Sequence, residues 1–260
     1  MKIAMIEVKN IEKKFTKLIN KKEKKEFYAD RQISFTANKG EIIGILGPNG
    51  AGKTTILKAI SGRHFPTDGH IFIDSQKYGK IESCEEPAKV RNITGFVEEL
   101  PQLPEDYTVK EYLCEVCDLH SADKKNVLEA EKLFSLEEVF LKKIKELSKG
   151  FRERVNFAQA FVYNPEILIL DEPASGLDPA QIVNMRKTVK KLAENHTIIL
   201  STHLMQEAES LCDKIIILNH GKVLIAGTID SITGETKTKN LEEAFFHLVK
   251  KSDGEENFSF

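Results

Sequence analysis

The sequence lacks a long hydrophobic run, which limits what the chain can do alone. Within its 260 residues, no apolar stretch approaches the length of about 18 residues that a helix needs to span a bilayer. The first residues are strand-like in pattern and contain no apolar signal-peptide core. Any role at a membrane therefore requires a separate spanning partner, and we expect a cytoplasmic protein.

The sequence also lacks a strong excess of charge of either sign. Its 38 basic and 40 acidic residues give a net charge of −2, which provides no bulk attraction to nucleic acid. With 41% hydrophobic and 30% charged residues, the composition is that of an ordinary soluble protein long enough to bury a full core. We therefore expect no nucleic-acid partner.

Cysteine is rare, and the four cysteines are too few for a disulfide framework, which suits a reducing cytoplasm. Cys114 and Cys117 form a C-x-x-C pair, and His120 follows three residues later. A zinc site is one interpretation, because the three residues share a helical face. No second ligand pair stands at metal-site spacing, so the sequence favours small buried side chains instead.

A glycine-rich stretch carries the clearest chemical signal in the chain. It fits the pattern G-x-x-x-x-G-K-[ST] of loops that cradle nucleotide phosphates. Its residues are Gly47, Pro48, Asn49, Gly50, Ala51, Gly52, Lys53, Thr54 and Thr55. An apolar run typical of a buried strand precedes the stretch, and apolar residues at helical spacing follow it. We expect Lys53 to reach the β- and γ-phosphates and the Thr54 hydroxyl to ligate Mg²⁺.

Two further segments end in groups suited to phosphate chemistry. Residues 167–170 form a branched apolar run that leads directly into Asp171 and Glu172, as expected for a buried parallel strand with acids at its carboxyl end. Asp171 is predicted to hold the Mg²⁺ shell and Glu172 to polarise the attacking water. A second buried strand, residues 197–202, leads to His203, which could bond a γ-phosphate.

The remaining segments predict a coarse order of elements. Strands are expected at 5–8, 27–37 and 71–74 in a small antiparallel sheet, with the charge-rich residues 17–26 as a solvated loop. Mostly helical structure is expected over 107–161, a helix over 182–192, a hairpin over 215–227, and a helix over 241–249 before a frayed tail from Ser252.

Four motifs in this order resemble the ATP-binding subunit of an ABC transporter over nearly the whole chain. They are the phosphate loop, Leu147-Ser148-Lys149-Gly150, Asp171-Glu172-Pro173, and Gly176-Leu177-Asp178 followed by His203. The resemblance implies an α/β fold, a P-loop NTPase ABC ATPase core with an antiparallel β-subdomain and an inserted α-helical subdomain. It implies an ATPase domain over 1–235, with the helical subdomain at about 100–161, and a short C-terminal helix and tail over 236–260.

The resemblance also implies how the site is completed. In this family two subunits pack head to tail around two ATP molecules, so Ser148 and Gly150 would donate to the γ-phosphate bound by the other subunit. Asp178 would couple the two sites. Phe15 falls where the family stacks an aromatic ring on adenine, and a plain core phenylalanine is the alternative. The second subunit would be another copy or a paralogous ATPase subunit.

One position departs from the family pattern. The family usually has glutamine in the loop that joins the core to the helical subdomain, where it contacts Mg²⁺ and water. Here the position is Glu99, whose carboxylate could meet the metal but adds negative charge beside the phosphates. Gln102 would substitute only if the loop were remodelled.

Within the family, the chain is similar to the ATPase subunits of bacterial type-2 ABC exporters, and in particular to those of sodium-efflux pumps. The features that suggest this are the Lys-rich insertion after Phe15, the form Leu-Ser-Lys-Gly-Phe, and the ending Leu-Glu-Glu-Ala-Phe at 241–245. The resemblance implies an enzyme that hydrolyses ATP with Mg²⁺ and powers transport, in the direction of export, through a membrane-spanning permease. It would be peripheral on the inner face of the plasma membrane. The alternatives are a soluble ABC ATPase acting on ribosomes or nucleic acid, and a low-turnover nucleotide-dependent binding module.

Overall fold

The phosphate loop follows an interior strand of the larger of two sheets. The computed structural model describes residues 4–18 and 24–256. In chain order the first elements are β1 (Ala4–Leu18), β2 (Lys24–Asn38), β3 (Ile42–Leu46), α1 (Lys53–Ile60), β4 (Asp68–Ser75), β5 (Gly79–Glu82), α2 (Pro87–Ile93) and β6 (Thr94–Val97). The helical region then contains α3 (Val109–Leu119), α4 (Lys125–Leu133) and α5 (Lys149–Phe161), with short 3₁₀ turns at Glu137–Val139 and Ile144–Glu146.

The second half alternates strands and helices. Its elements are β7 (Ile167–Asp171), α6 (Pro179–Ala193), β8 (Thr197–Thr202), α7 (Met205–Leu211), β9 (Lys214–Asn219), β10 (Lys222–Gly227), α8 (Ile229–Thr236) and α9 (Leu241–Glu256). None of the described helices is long and apolar enough to cross a bilayer.

The larger sheet has the strand order β10-β9-β3-β8-β7-β6, and its strands are parallel except for the hairpin of β9 and β10. The strands β3, β7 and β8 are buried at every residue, which explains their continuous runs of isoleucine and leucine. Their register places Leu46 opposite Thr202 and Asp171 opposite Ser201. The carboxyl ends of the three strands therefore meet at one edge of the sheet, where ligands of such sheets bind.

The smaller sheet is antiparallel, with the order β2-β1-β4-β5, as the sequence predicted. The prediction of a solvated loop over 17–26 is wrong at both ends, because the β1–β2 ladder continues through Phe15↔Phe27 to Leu18↔Lys24. That prediction rested on repulsion between like charges and on the lack of burial, whereas antiparallel pairing satisfies backbone N–H and C=O groups without burying the side chains. The middle of the predicted loop, residues 19–23, lies outside the described residues.

The cysteine pair and its neighbouring histidine have packing partners in the helical region. Cys117 is buried, its Sγ lies 3.4 Å from the carbonyl oxygens of Ala122 and Asp123, and burial raises the pKa of its thiol. Cys114 packs against the same core. The His120 ring stacks on Tyr163 with 3.6 Å between ring centroids. These contacts account for the three side chains as structural groups.

The C-terminal helix α9 is packed against the larger sheet. Leu241, Ala244 and Phe245 are buried in a cluster that includes residues of β3, β9, α7 and α8. The helix continues past Ser252 to Glu256, beyond the point where the sequence predicted fraying, and residues 257–260 lie outside the described residues.

The division of the chain into an ATPase domain over 1–235 and a C-terminal helix and tail over 236–260 stays a prediction.

We predict that this docking contributes strongly to stability. Phe245→Ala should lower the free energy of unfolding by about 3–5 kcal/mol, because it leaves a cavity where a ring that is 7% exposed now packs. Phe246→Ala is the matched control, since its ring is 57% exposed and its loss should change stability by less than about 0.5 kcal/mol. Urea unfolding of both variants measures the difference; equal effects would contradict the packing of α9.

Candidate active site

The phosphate loop connects β3 to the first turn of α1, and two of its glycines are required by the backbone. Gly52 has φ +108°, and a Cβ there would lie 2.5 Å from the Ala29 carbonyl oxygen. A Cβ on Gly47 would lie 2.3 Å from the carbonyl oxygen of Leu218. The loop therefore packs closely against neighbouring backbone on two sides, which fixes its conformation. It leads into the amino end of α1, where the helix dipole attracts anions.

Lys53 lies inside the loop, not in solvent. Its Nζ donates to the carbonyl oxygens of Gly47 (2.8 Å) and Pro48 (3.2 Å) and lies 3.0 Å from Glu172 Oε1. The Lys53 and Glu172 side chains are 6% and 8% exposed. This buried ion pair holds the Lys53 ammonium group beside the phosphate loop. It also links the loop to Glu172, the residue that directly follows β7.

A hydroxyl and a carboxylate meet beside this pair. Thr54 Oγ1 donates to Asp171 Oδ1 at 3.0 Å, and Ser201 Oγ donates to the same oxygen at 2.7 Å. Asp171 is 4% exposed, so its charge is compensated by these two hydroxyls from α1 and β8. The arrangement brings together the two oxygen groups that the sequence predicted for Mg²⁺.

Glu172 is fixed from three directions. Its backbone adopts φ +48°, and its N–H donates to Ser201 Oγ at 3.0 Å. Its Oε2 lies 2.8 Å from His203 Nδ1, while Oε1 faces Lys53. A carboxylate held between a lysine and a histidine at the edge of the sheet can accept a proton from a water molecule that attacks a bound phosphate.

A cavity of about 570 Å³, within the range of small-molecule sites, is lined by Lys53, Thr54 and Glu172, whereas Asp171 and His203 are not part of its lining. Of the predicted site residues it is lined by Phe15, Asn49, Gly50, Gly52, Lys53, Thr54, Thr55, Glu99 and Glu172. Glu99 accepts a hydrogen bond from Ser175 Oγ at 3.3 Å, and the loop before it is held by Asn156, which donates to the Glu98 carbonyl oxygen at 2.8 Å. Gln102 is exposed and does not line the cavity.

The motif Leu147-Ser148-Lys149-Gly150, called the signature from here on, does not line this cavity. Ser148 precedes the first turn of α5, and Gly150 packs against α6, where a Cβ would lie 2.5 Å from Gln181 Nε2. Asp178 caps α6 by accepting from the Gln181 N–H at 2.9 Å. Gly150 lines a second cavity, between α5 and α6, and not the cavity of the phosphate loop. Within this chain, the signature and the phosphate loop are therefore not brought together.

Comparison with known proteins agrees with this geometry. The profile of the ABC transporter family matches residues 31–175, more than half of the chain. The chain belongs to the ABC transporter family. It is an ABC ATPase, the ATP-binding subunit of a transporter, with the P-loop ABC ATPase fold that the motifs predicted.

Relatives and solved structures of this ABC ATPase extend the match. The ABC transporter ATP-binding protein NatA of Bacillus subtilis is 33% identical over 229 residues, covering 85% of this chain and 91% of the relative. The Nod factor export ATP-binding protein I of Burkholderia lata is 35% identical over 241 residues, covering 87% and 72%. A dimeric ATP-binding cassette in a post-hydrolysis state, bound to ADP and Pi, superposes with a TM-score of 0.74 at 27% identity, covering 86% of this chain and 98% of that one.

Several residues of the site in this ABC ATPase were not found by sequence reasoning. Ser201 bonds both Asp171 and the Glu172 backbone, and its only sequence signal is its place near the end of a strand. The turn between β9 and β10 holds the phosphate loop, because the Gly221 N–H donates to the Ala51 carbonyl oxygen at 2.9 Å. Asp253 of α9 accepts a hydrogen bond at 2.9 Å from Asn219, the last residue of β9 before that turn. These supports come from segments that carry no recognisable motif.

Asp30 is a further unpredicted feature of the site. It lies in β2 beneath the phosphate loop, it is fully buried, and neither carboxylate oxygen has a hydrogen-bond partner. A Cβ on Gly52 would lie 2.5 Å from Asp30 Oδ1. Burial raises the pKa of Asp30 to about 7, although the charge of Lys13 opposes the shift.

We predict that Asp30 makes stability depend on pH. The Asp30 carboxyl group has a pKa of about 7 in the folded state and its ordinary 3.8 in the unfolded chain. Its contribution to stability is therefore largest below about pH 4, and it is lost as the pH rises through the folded-state pKa of about 7. Asp30→Asn should therefore flatten the decline of the unfolding free energy between pH 4 and pH 7, by up to about 4 kcal/mol.

Chemical denaturation at several pH values measures this effect. Asp74→Asn, at an exposed position of β4, is the control and should leave the pH dependence as in the wild type. A decline that persists unchanged in Asp30→Asn would show that Asp30 is not the group responsible.

Proposed function

We propose that this ABC ATPase hydrolyses ATP at the cleft between the phosphate loop and the end of β7, and thereby drives transport through a separate membrane-spanning permease. The observation that carries the proposal is the position of Glu172, 3.0 Å from the Lys53 ammonium group and 2.8 Å from His203, in the cavity of the phosphate loop. Three groups with distinct roles in phosphoryl transfer are thereby held within one hydrogen-bonded set.

Each group has a role set by its chemistry. Lys53 binds the β- and γ-phosphates and stabilises the charge that develops on them. Glu172 accepts the proton of the attacking water at Oε1 or Oε2. His203, bonded to Glu172 through Nδ1, holds this carboxylate in place and presents its other ring nitrogen for a γ-phosphate oxygen. The backbone N–H groups of Gly50, Gly52, Lys53 and Thr54 bind the remaining phosphate oxygens.

The residues present fit Mg²⁺. Thr54 Oγ1 and Asp171 share a hydrogen bond, and Glu99 lines the same cavity as Thr54, so the donors are all oxygens, which Mg²⁺ prefers. No cluster of three or more His, Cys, Asp or Glu suited to a metal occurs among residues 4–18 and 24–256. This agrees with a metal held by one or two carboxylates together with substrate phosphates. When bound, Mg²⁺ neutralises charge on the β- and γ-phosphates.

A head-to-tail dimer would complete the site. Ser148 and Gly150 stand at the start of α5, whose 13 residues give a helix dipole suited to a γ-phosphate, yet Gly150 lies outside this chain's own phosphate cavity. A two-fold symmetric pair places each signature at the other subunit's phosphate loop. Asp178, next to the signature at the cap of α6, is then positioned at the interface to couple the two sites.

The transport partner and the direction of transport rest on the relatives. One relative is a Nod factor export ATP-binding protein, which supports export by this chain as well. We place the protein in the cytoplasm on the inner face of the plasma membrane, where the loop around Glu99 and helix α3 carry the motion of closure and reopening to the permease. The same chain could act as a low-turnover binding module, because Glu99 adds a carboxylate to the phosphate cleft.

We predict that Glu172→Gln lowers ATP turnover by about 10²–10⁴-fold, because the amide cannot accept the proton of the water. It should retain ATP and accumulate as a dimer, measured by steady-state phosphate release and by size-exclusion chromatography with ATP. Lys53→Ala is the contrasting variant, and it should lose nucleotide affinity instead. Turnover at the wild-type rate in Glu172→Gln would remove Glu172 from its role, and negligible phosphate release by the wild type would favour the binding module.

We predict that affinity purification from detergent-solubilised membranes of the host recovers a stoichiometric partner with several membrane spans, because the described helices provide no translocation path. Identification of the co-purifying proteins by mass spectrometry measures this. Recovery with ribosomes or nucleic acid and without a spanning protein would refute the transport proposal in favour of the soluble ABC ATPase.

A further inference from the structure

The turn between β9 and β10 is in contact with the phosphate loop. It consists of His220 and Gly221, and the Gly221 N–H donates to the Ala51 carbonyl oxygen at 2.9 Å. Just before the turn, the Leu218 carbonyl oxygen is so close to Gly47 that a Cβ on this glycine would lie 2.3 Å from it. The conformation of the phosphate loop therefore depends on the position in which this turn is held.

The same turn also contacts β2. The Arg31 N–H donates to the Gly221 carbonyl oxygen at 2.6 Å, and a Cβ on Gly221 would lie 2.3 Å from the Ala29 carbonyl oxygen. His220 has φ +46°, a left-handed conformation that costs energy for a residue other than glycine and persists where the surroundings hold it. The turn therefore requires contacts that keep it in place between β2 and the phosphate loop.

Helix α9 presents one face to the larger sheet, and this face leads to the turn. Leu241, Phe245 and Val249 follow one another at intervals of four residues, and all three pack in one cluster. The cluster also contains Leu46, the residue directly before the phosphate loop. Asp253 comes four residues after Val249, so its carboxylate continues the same face of the helix beyond the apolar part.

One oxygen atom of Asp253 contacts two neighbouring residues of the hairpin. Oδ1 accepts a hydrogen bond from Asn219 Nδ2 at 2.9 Å and lies 2.9 Å from His220 Nε2. The hydrogen bonds from Asn219 and His220 lower the pKa of Asp253, so the group is a charged acceptor at neutral pH. The C-terminal helix thus contacts the two residues that directly precede Gly221.

We propose that Asp253 is a positioning residue for the phosphate loop: it fixes Asn219 and His220, and the turn then holds the loop in the conformation that binds phosphate. This inference rests on the proposed binding of ATP at the phosphate loop. The apparent affinity of a site falls in proportion to the fraction of molecules in its binding-competent conformation. Without the Asp253 carboxylate this fraction decreases, whereas bound ATP restores the conformation of the loop.

Steady-state phosphate release at varied concentrations of ATP with Mg²⁺ tests the proposal. Asp253→Ala should raise KM for ATP about 3–10-fold while kcat stays within about twofold of the wild type, because only the unliganded loop has lost its support. Asp253→Asn keeps an acceptor oxygen for Asn219 and should return KM to the wild-type value. Glu242→Ala removes an exposed acid from the first turn of α9 and is the matched control, which should leave both constants unchanged.

The split between KM and kcat separates positioning from a general loss of stability. A smaller folded fraction in Asp253→Ala would lower kcat per mole of protein and leave KM unchanged, and this result would overturn the inference. An equal rise of KM in Asp253→Ala and Asp253→Asn would overturn it too, because the acceptor oxygen would then have no part in the effect. A rise of KM in Glu242→Ala as large as in Asp253→Ala would count against any specific contact of Asp253.

Hydrogen–deuterium exchange with mass spectrometry measures the loop directly in the absence of nucleotide. In Asp253→Ala, peptides that contain the Gly221 N–H and residues 47–55 should exchange faster than in the wild type, because their hydrogen bonds open more often. A peptide of α2 is the internal control and should exchange as before. Unchanged exchange at the turn and the loop, or faster exchange throughout the chain, would contradict a local role of Asp253.

Failure of this inference can be separated from failure of the proposed function. ATP binding that is lost in Lys53→Ala but equal in the wild type and Asp253→Ala would leave the ATPase proposal intact and overturn only the role of Asp253. ATP binding that is absent from the wild type, or equal in the wild type and Lys53→Ala, would overturn both.

Discussion

The whole site depends on the register of three neighbouring parallel strands. Leu46 of β3 lies opposite Thr202 of β8, and Asp171 of β7 lies opposite Ser201. Because the strand ends coincide, the phosphate loop, the two acids and His203 leave the sheet at the same edge. A slip of one residue in either pairing would turn every side chain of the shifted strand to the other face and separate these groups.

The buried charges at this edge form an interdependent set. Lys53 faces Glu172, Glu172 bonds His203, and Asp171 accepts from the hydroxyls of Thr54 and Ser201. An isolated charge at these levels of burial is costly, whereas paired and hydrogen-bonded charges are tolerated. Asp30 is the exception, a buried carboxyl without a hydrogen-bond partner beneath the same loop, and its raised pKa is the consequence.

Sequence reasoning found the phosphate loop and the acidic strand because each is a local pattern with a backbone requirement of its own. It also placed the hairpin at 215–227 and the helical region, where spacing and turn residues suffice. It missed the extension of the β1–β2 ladder and the role of Ser201. In both cases the partner residue is distant in sequence, as with Ser201 and Asp171, 30 residues apart.

By itself, the sequence determined the family, the strand–loop–helix that carries the phosphate-loop pattern, and the two strands that Asp171, Glu172 and His203 end or follow. Only the tertiary structure decided which carboxylates are paired, and that Gly150 of the signature lines a different cavity from the phosphate loop. The physical reason is that glycine geometry and hydrophobic periodicity are properties of a short segment. Burial and charge pairing arise only when segments far apart in the chain pack together.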